Sequence, residues 1–480
     1  MGNEHWVETS IDNVVLSKKG KKPGKLEPLE FKNSLPYIDI EAFETGKIKQ
    51  YADVESSNHC QPDDILVVWD GARFGLTGTN QKGAIGSTLA CLTPILIESS
   101  FLHKFIHRHY GTIQQKPKGM ATPHVDPDVF WNLEFPLPPL PEQKRIVKKL
   151  DAILPKVKNA KSRLYKIPRI LKRFRQSVLA SACSGKLTEG WREENPEIEN
   201  AGEMFKQIQQ IKNKALLEKK ISKDKKCDIN ILEKALQFEI PEMWKWVRIQ
   251  DIYEVLRGGS PRPAGDSKYF GGSFPWITVK ELTKDDNTYL CQTEFFLTEI
   301  GRKHSREVYP DELLLTNSGA TLGVPKISKI KGCFNDAVAL LRIFHKFVKN
   351  EYAYYYLSHE TESFRQVNQG MAQPNLNTCI ISAWLFPLPP FEEQEEIVRR
   401  VEKLFKLAHS LEAKYKKALA RVEKIEQSVL AKTFRGELAP QDPNDEPAEE
   451  LLKRILAEKA KLETVKKKSK RFSPRRNRHY

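Results

Sequence analysis

The chain is poor in cysteine and has no long apolar run. Its seven cysteines are scattered along 480 residues and never form a CxxC pair, so we expect free thiols rather than a disulfide framework or a zinc site. No apolar run approaches the roughly 18 residues that span a bilayer. The N-terminal residues MGNEHWVETS also lack the basic start and apolar stretch of a secretory signal. These absences predict a cytoplasmic protein without a membrane partner.

Catalytic motifs are missing as well. The sequence contains no GxxxxGK[ST] phosphate loop, no Asn-Pro-Pro-aromatic or Asp-Pro-Pro-Tyr motif of an amino-methyltransferase, and no HExxH metal motif. The stretch FLHKFIHRHY places His103 and His107 on one helical face, which is more often a half-buried helix than a metal site. We therefore expect no catalytic residue and no metal site in this chain.

The net charge of +16 is concentrated in one segment. Residues 136–191 carry 14 Lys+Arg against 3 Asp+Glu, whereas residues 1–135 carry 14 against 17 and residues 386–440 carry 11 against 9. Such a basic segment favours a polyanionic partner. We interpret the basic run KKKSKRFSPRRNRH near the C-terminus as a solvated tail.

The sequence repeats itself at a constant offset. FPLPPLPEQKRIVKK, which starts at Phe135, returns as FPLPPFEEQEEIVRR at Phe386, with nine of fifteen positions identical and an offset of 251 residues. QSVLASACSGKL at Gln176 returns as QSVLAKTFRGEL at Gln427 with the same offset, and so does GMATP as GMAQP. A constant offset predicts an internal duplication. Closer to the start of each copy only the apolar pattern persists, so the copies have diverged there.

Between these blocks, apolar residues step alternately by three and four, as in a coiled coil. The pattern covers residues 146–178 and returns over residues 397–429. Each run follows a Pro-Pro pair, and we expect the helices to end at Gly185 and Gly436. The pattern predicts two long helices that pair antiparallel. From net charge alone, two copies of the first helix should repel each other more than two copies of the second.

Two prolines interrupt the first of these helices. Pro155 and Pro168 fall inside the heptad run, where the second copy has Lys406 and Leu419. Proline lacks a backbone N–H and its ring clashes with the preceding turn. We therefore predict a bent first helix that its partner holds in place.

The segments before each helix contain short alternating runs such as ILVVW, PWITV and ELLLT, separated by turn residues. The predicted fold class is α+β, with two mixed α/β domains joined by two long antiparallel coiled-coil helices in an internal pseudo-two-fold repeat. The predicted boundaries are 1–135 for the first domain, 136–190 for the first helical region, 191–240 for a connector, 241–385 for the second domain, 386–440 for the second helical region, and 441–480 for a C-terminal connector helix and basic tail.

This order, with its two FPLPP motifs, resembles the specificity subunit of type I restriction-modification systems. The resemblance implies two target recognition domains that each read one half of a split site in double-stranded DNA, and helices that set the spacer. It also implies two methylation subunits, which use S-adenosylmethionine, and two restriction subunits, which use ATP and Mg²⁺, with no cofactor in this chain. The alternatives are a coiled-coil scaffold that binds only protein and a stand-alone modification or cleavage enzyme. The confined divergence and the missing motifs favour the first interpretation.

Base reading requires Arg or Lys for guanine and Asn or Gln for adenine, on loops that can enter a groove. The predicted DNA-binding residues are Lys18, Lys22, Asp70, Arg73 and Lys118 in the first domain, and Arg257, Ser260, Arg262, Asn317, Ser318, Lys326 and Gln373 in the second. The predicted partner-interface residues are Pro138, Pro139, Glu142 and Gln143, with Pro389, Pro390, Glu393 and Gln394. Their structural role would be to start and cap a helix, and the resemblance adds a position near the dock of a methylation subunit.

Overall fold

A computed structural model of the chain describes residues 5–118, 123–223, 238–319, 321–367 and 376–471. Contacts divide the chain into two units, and only one of them is continuous in sequence. Unit 1 consists of Met1–Tyr165 with Lys417–Tyr480, and unit 2 of Lys166–Lys416. Each unit therefore contains one of the predicted domains together with parts of both helical regions.

Unit 1 contains eleven strands among its described residues, in three sheets. The sheet orders are β2-β10-β7-β8, β3-β5-β4-β9-β6 and the pair β1-β11. The strands are β1 (Val7–Ser10), β2 (Val15–Lys19), β3 (Leu26–Glu27), β4 (Ser34–Ile38), β5 (Tyr51–Asp53), β6 (His59–Cys60), β7 (Ile65–Val68), β8 (Thr77–Gly78), β9 (Gly83–Ile85), β10 (Leu89–Pro94) and β11 (Glu134–Leu137). The helices before the long one are α1 (Ile11–Val14), α2 (Ile40–Thr45), α3 (Ser99–Arg108), α4 (Tyr110–Gln114) and α5 (Pro127–Trp131).

The first long helical region is divided between the two units. Helix α6 (Leu140–Leu164) belongs to unit 1, and α7 (Ile167–Cys183) to unit 2. A 3₁₀ turn (Lys186–Thr188) and the connector helices α8 (Glu189–Glu194) and α9 (Ala201–Leu217) follow in unit 2.

Unit 2 continues with the same alternation of short strands and helices. Its sheet orders are β13-β21-β18-β19-β15, β16-β14-β20-β17 and the pair β12-β22. The strands are β12 (Lys245–Arg248), β13 (Tyr253–Arg257), β14 (Phe270–Ile277), β15 (Tyr289–Leu290), β16 (Phe296–Leu297), β17 (Arg306–Val308), β18 (Leu313–Thr316), β19 (Pro325–Ser328), β20 (Gly332–Phe334), β21 (Val338–Ile343) and β22 (Leu385–Leu388). The helices are α10 (Ile249–Ile252), α11 (Val279–Thr283), α12 (Glu299–Lys303), α13 (Asn350–Val367) and α14 (Thr378–Ala383). Two further helices follow: α15 (Phe391–Phe434), which is shared by the two units, and α16 (Ala448–Arg471) in unit 1.

The two domains share the pairing of their central strands, although their sequences have diverged and the number of strands per sheet differs. In unit 1, β10 lies between β2 and β7, and β9 lies between β4 and β6. In unit 2, β21 lies between β13 and β18, and β20 lies between β14 and β17. The central strands β7 and β18 are apolar apart from Thr316, and all four residues of each strand are buried. The mixed α/β content predicted from the sequence is confirmed.

Both ends of the chain contribute to the core of unit 1. Phe101 and Phe105 of α3 stack against Phe434 at the end of α15, with ring centroids 5.5 Å apart in both pairs. Leu451 and Ile455 of α16 are fully buried in the same cluster. Unit 2 is built in a similar way, because its core includes side chains of both α7 and α9.

Proline breaks the first helix at one of the two expected positions. Pro155 lies inside α6, which continues past it, but α6 ends at Leu164 and Pro168 is the second residue of α7. The ring of a proline clashes with the carbonyl four residues earlier, which here belongs to Leu164. The prediction of a single bent helix is therefore wrong at Pro168. Helix α15, with no proline in its interior, runs unbroken for 44 residues.

The heptad positions face inward as predicted. All ten of the first region (Ile146, Leu150, Ile153, Val157, Ala160, Leu164, Ile167, Leu171, Phe174, Val178) are buried or half-buried. In α15 the same holds for eight of ten, and the exceptions are Leu411 and Ile425, whose side chains are exposed. Gly185 and Gly436 follow the two helical regions with left-handed φ angles of 74° and 70°. The predicted helix ends are thus confirmed to within two residues.

The cysteines only partly meet expectation. Cys60, Cys91, Cys183 and Cys333 are free and buried, and burial raises the pKa of the Cys60 and Cys333 thiols to about 11. Cys291 is free but exposed. Cys379 forms a disulfide, so the prediction of free thiols throughout is wrong.

Candidate nucleic-acid interface

One end of the main sheet in unit 1 presents a charged corner. There, β2 ends at Lys19, and the chain leaves β7 toward Asp70. The Lys19 Nζ lies 2.8 Å from Asp70 Oδ2. The backbone N–H of Asp70 also donates to the carbonyl of Thr88, in the turn before β10. Three chain segments thus meet at the corner, and both charged side chains stay partly exposed.

A glycine closes this corner in each unit. Gly20 donates its N–H to Leu89 of β10 over 2.8 Å, and Gly258 donates to Val338 of β21 over 3.1 Å. A Cβ added at Gly20 would lie 2.0 Å from the carbonyl oxygen of Gly86, and one added at Gly258 would lie 2.0 Å from that of Asn335. Only glycine, which has no Cβ, allows the backbone segments to approach this closely. The two corners therefore have the same backbone construction.

The corner of unit 2 gathers three of the predicted DNA-binding residues around Asp336. Ser260 donates its hydroxyl to Asp336 Oδ1 over 2.5 Å, and Arg257 donates its Nε–H to the Asp336 carbonyl over 3.1 Å. The guanidinium nitrogens of Arg257 and Arg262 lie 3.8 Å from Asp336 Oδ2. These two arginine side chains are 61% and 73% exposed. Asp336 thus positions two arginines that remain open to solvent.

The backbone brings one further predicted residue of unit 1, Lys118, to its corner. Lys118 exchanges N–H···O bonds with His124, and His124 also forms a bridge with Asp70. The Lys118 Nζ lies 3.9 Å from a carboxylate oxygen of Asp126. Lys19, His124 and Asp336 were missed by the sequence analysis, because only chain folding places them beside the loops that were selected.

The remaining predicted residues of unit 1 lie nearby but do not join the corner through their side chains. Lys18 is half-buried in β2 opposite Cys91, and Lys22 is exposed in the following loop. Arg73 forms an ion pair with Glu44.

Two predicted DNA-binding residues of unit 2 are buried. Lys326 is 2% exposed, and its Nζ donates to the carbonyl and carboxylate of Asp285 and to the carbonyl of Asn287. It therefore fastens an internal loop, and the prediction that it lies on a reading loop is wrong. Asn317 is also 2% exposed, so that prediction fails for the same reason. Ser318 is half-buried, and Gln373 lies outside the described residues.

All eight predicted partner-interface residues are buried within this chain. In unit 2, the Glu393 carboxylate accepts hydrogen bonds from Trp244 Nε1 and Thr188 Oγ1, each over 2.7 Å, and from Arg192. Gln394 accepts from the Lys349 N–H over 2.9 Å and donates to the Pro389 carbonyl over 3.0 Å. These side chains fasten the start of α15 to the second domain. A further role near a partner's dock stays a prediction.

The corresponding joint in unit 1 is less complete. Trp6 Nε1 donates to Glu142 Oε2 over 3.0 Å, but Glu142 Oε1 has no hydrogen-bond partner among the described residues. Burial raises the pKa of Glu142 above its usual value. Gln143 repeats the pattern of its counterpart, accepting from the Glu98 N–H and donating to Pro138, each over 2.8 Å.

Comparisons with known proteins identify the family of this chain. Two segments, residues 3–169 and 241–421, match the family model described as the type I restriction modification DNA specificity domain. The chain belongs to this family. The specificity subunit of type I restriction enzyme EcoBI from Escherichia coli is 29% identical over 98% of this chain and 96% of its own length. That of EcoKI from Escherichia coli strain K12 is 27% identical over 95% and 96%, respectively.

Solved structures resemble this specificity-family chain in fold. The HsdS subunit from Thermoanaerobacter tengcongensis matches with a TM-score of 0.53 at 18% identity, covering 91% of this chain and 98% of its own. A chain from a structure on complex assembly and conformational transition of the type I R-M system gives 0.57 at 19% identity, covering 91% and 100%. At these identities the likeness establishes the fold, a two-domain mixed α/β architecture.

Two further observations concern other classes of site in this family member. Within the part of the chain that the structure describes, no three His, Cys, Asp or Glu side chains are grouped as metal ligands would be. His109 instead bonds through Nδ1 to the Phe105 carbonyl, 2.9 Å away. No helix among the described residues combines the length and hydropathy that a bilayer span needs.

The first helical region of this specificity-family chain supplies unneutralised positive charge. Nine basic side chains of this region form no ion pair with the described residues. They are Lys144, Lys148, Lys156, Lys158 and Arg163 of α6 in unit 1, and Lys166, Arg169, Lys172 and Arg173 in unit 2. Cations without partners attract phosphates in proportion to their number. Each unit thus combines a charged sheet corner with a basic helix segment.

Proposed function

We propose that this chain is the DNA sequence-specificity subunit of a type I restriction-modification complex, and that each of its two domains reads one half of a split site. The observation that carries the proposal is the repeated corner at one end of each main sheet. Both corners have the same strand pairing and the same glycine contact, but one presents Lys19 with Asp70 and the other Arg257 and Arg262 with Asp336. A constant scaffold with different charged side chains is what two readers of different half-sites require.

The chemistry of the second corner favours guanine. Arginine donates two hydrogen bonds to O6 and N7 of guanine in the major groove, and a carboxylate beside it restricts its orientation. Asp336 would hold Arg257 and Arg262 in this way before DNA arrives. In the first corner, Lys19 and Lys118 would contact phosphate or guanine, and Asp70 would accept from the amino group of cytosine.

We further propose that the helices form an antiparallel coiled coil with pseudo-two-fold symmetry, which sets the spacer between half-sites. Pairings within each unit support this. In unit 1, Arg145 pairs with Asp445 and Lys161 pairs with Glu426. The residue number of the acidic partner decreases as that of the basic partner increases, as expected for segments that run antiparallel. In unit 2, Arg175 pairs with Glu412, and Arg192 with Glu393.

The chemistry of modification and cleavage would come from partners. The proposed complex contains two methylation subunits that use S-adenosylmethionine and two restriction subunits that use ATP and Mg²⁺, and it acts on DNA in the cytoplasm. This chain would supply recognition and assembly without a catalytic residue of its own. Lys144 and Lys148, which lie one turn apart on α6, would add phosphate contacts that do not depend on sequence.

A graft tests the reading role. Residues 1–135 are replaced by the matching segment of a different specificity subunit, the chain is expressed with its methylation subunits, and methylated adenines are mapped in the DNA. We expect one half-site to change and the other to stay. If both half-sites change together, the domains do not read independently.

A point substitution tests the guanine assignment. Arg262→Ala should relax the sequence requirement in the second half-site and weaken binding to the cognate site by about 1–3 kcal/mol. The control is Arg421→Ala, which removes an exposed cation of α15 that has no ion pair among the described residues. If Arg421→Ala relaxes the same base position, or Arg262→Ala leaves it strict, the assignment is wrong.

A further inference from the structure

Two ion pairs join the middle of the first helical region to α15. In unit 1, Lys161 Nζ lies 3.0 Å from Glu426 Oε2, and in unit 2, Arg175 Nη2 lies 2.9 Å from Glu412 Oε2. The four side chains are between 27% and 40% exposed. In both pairs the cation belongs to the first helical region and the anion to α15.

The offset of the internal repeat relates these two pairs to each other. A shift of 251 residues carries Lys161 to Glu412 and Arg175 to Glu426, so each member of one pair corresponds to a member of the other with its sign reversed. If a first helical region paired antiparallel with a second copy of itself, Lys161 would face Arg175 of the other copy. If α15 paired with its own copy, Glu412 would face Glu426. Either arrangement replaces two attractions with two repulsions.

We propose that Lys161, Arg175, Glu412 and Glu426 form a charge code by which the two helices of one chain select each other over a second copy of this chain. Unlike helices satisfy both positions, and like helices satisfy neither. A duplicated protein needs such a code, because its two helices share their apolar spacing and each fits its own copy in shape. The inference depends on the pairings within each unit and not on DNA reading.

The end contacts of the helices disfavour a pair of second helices but not a pair of first helices. Thr188 and Arg192, which donate to Glu393, correspond to Ala439 and Pro443 in the second copy. A pair of first helices would therefore keep these donors and could offer them to Glu142. Discrimination against that pair must come from the middle of the helices, where the ion pairs are.

The code also revises what net charge predicts for the second helix. Residues 386–440 are nearly neutral overall, which by itself allows α15 to pair with its copy. Two copies would nevertheless bring Glu412 and Glu426 together twice, at sites where burial is partial and solvent screening is incomplete. The position of the charges, more than their sum, opposes this pairing.

The experiment uses the full chain with a protease site inserted between residues 224 and 237, which lie outside the described residues. After cleavage, two preparations with different tags on the N-terminal piece are mixed in urea below the unfolding midpoint, and native mass spectrometry counts pairs of pieces. We expect the wild-type pieces to form N-with-C pairs almost exclusively. Abundant pairs of like pieces in the wild-type sample would overturn the proposal.

Arg175→Glu should remove the preference for unlike pieces. The variant turns the 175–412 contact into a repulsion and makes the two contacts between like N-terminal pieces attractive. One exposed ion pair changes an equilibrium about twofold, so reversing four contacts changes the exchange constant on the order of a hundredfold. Adding Glu412→Arg restores the 175–412 attraction, but it also makes both contacts between like C-terminal pieces attractive, so every pairing is satisfied and no preference should return. Reversing all four charges (Lys161→Glu, Arg175→Glu, Glu412→Arg and Glu426→Arg) makes unlike pairs attractive and like pairs repulsive again, and should restore the preference for unlike pieces.

Arg173→Glu is the matched control, since it changes the net charge equally at an exposed position of α7 without an ion pair among the described residues. If Arg173→Glu removes the preference for unlike pieces as fully as Arg175→Glu does, or if reversing all four charges fails to restore that preference, net charge rather than position governs the pairing and the code is wrong. The uncut chain gives a second readout. Its urea midpoint should fall in Arg175→Glu, recover in the double variant, and stay near wild type in Arg173→Glu.

Discussion

Glu393 and Glu142 occupy equivalent positions, but their surroundings predict opposite sensitivities to substitution. Glu393 is fully buried and accepts from Trp244, Thr188 and Arg192, so its charge has a partner and its oxygens are occupied. Glu142 is 1% exposed, and among the described residues only Trp6 donates a hydrogen bond to its carboxylate. Replacing each by Gln keeps the shape of the side chain and removes its charge.

The magnitudes follow from what each substitution leaves behind. Glu393→Gln leaves Arg192, whose side chain is 15% exposed, without its counter-charge, and it sets an amide N–H₂ among three donors. Breaking a buried ion pair in this way costs about 3–5 kcal/mol, and partial exposure of Arg192 places the expected loss at about 3 kcal/mol. Burial raises the pKa of the Glu142 carboxyl, which means that its charged form is already disfavoured in the folded chain. Glu142→Gln removes that charge, so we expect the free energy of unfolding to stay within about 1 kcal/mol of wild type.

The assay must resolve the two units, because a chain with two units need not unfold in one transition. Hydrogen exchange of strand β12 (Lys245–Arg248) in unit 2 reports on the Glu393 joint. Hydrogen exchange of strand β1 (Val7–Ser10) in unit 1 reports on the Glu142 joint. Glu393→Gln should speed exchange in the first strand by roughly a hundredfold, and Glu142→Gln should change the second by less than about tenfold. Equal effects at the two joints would show that donor number and charge pairing do not determine their strength.

Two other perturbations follow from the same structure. Burial raises the pKa of the Glu360 carboxyl from 4.5 to about 7, so the folded chain binds this proton more tightly than the unfolded chain does, and stability should fall as pH rises from 4.5 through 7. Glu360→Gln should flatten that slope in urea midpoints measured at pH 5 and pH 8. An unaltered slope would exclude Glu360 as its source. Inserting seven residues into α6 and at the matching position of α15 adds about 10 Å while keeping the seam inward, so mapped methylation sites should move apart by a few base pairs; an unchanged spacer in an active complex would refute the spacer role.

The sequence predicts best what repeats along it. The offset of 251 residues locates both long helical regions, and the steps of three and four identify residues that the structure buries or half-buries. These signals are local, and a helix must direct its apolar stripe toward a partner wherever that partner comes from. The sequence also predicts that Pro168 disturbs the helix. It does not predict that α6 ends there, because the apolar spacing of three and four residues continues past the proline.

The sequence predicts least what depends on distant segments meeting. Lys326 and Asn317 lie in a glycine-rich stretch whose composition is typical of an exposed loop. Both are nevertheless buried, because the strands pair around them and the loop before β15, which contains Asp285, covers Lys326. Asp336 lies 76 positions from Ser260, and no local pattern connects the two. The ion pair of Arg145 with Asp445 spans 300 positions and joins the C-terminal segment to α6 within unit 1. Such contacts require the three-dimensional structure.

The composition of unit 1 has a consequence for how the protein is made. Its core draws on Phe101 and Phe105 near one end of the chain and on Phe434, Leu451 and Ile455 near the other. A ribosome delivers the first two some 330 residues before the rest, so the apolar face of α3 waits uncovered while unit 2 is synthesised. A message truncated after residue 416 would yield a chain with all of unit 2 and an open core in unit 1. That product should be a target for chaperones and proteases, which would clear incomplete copies before they could compete for partners.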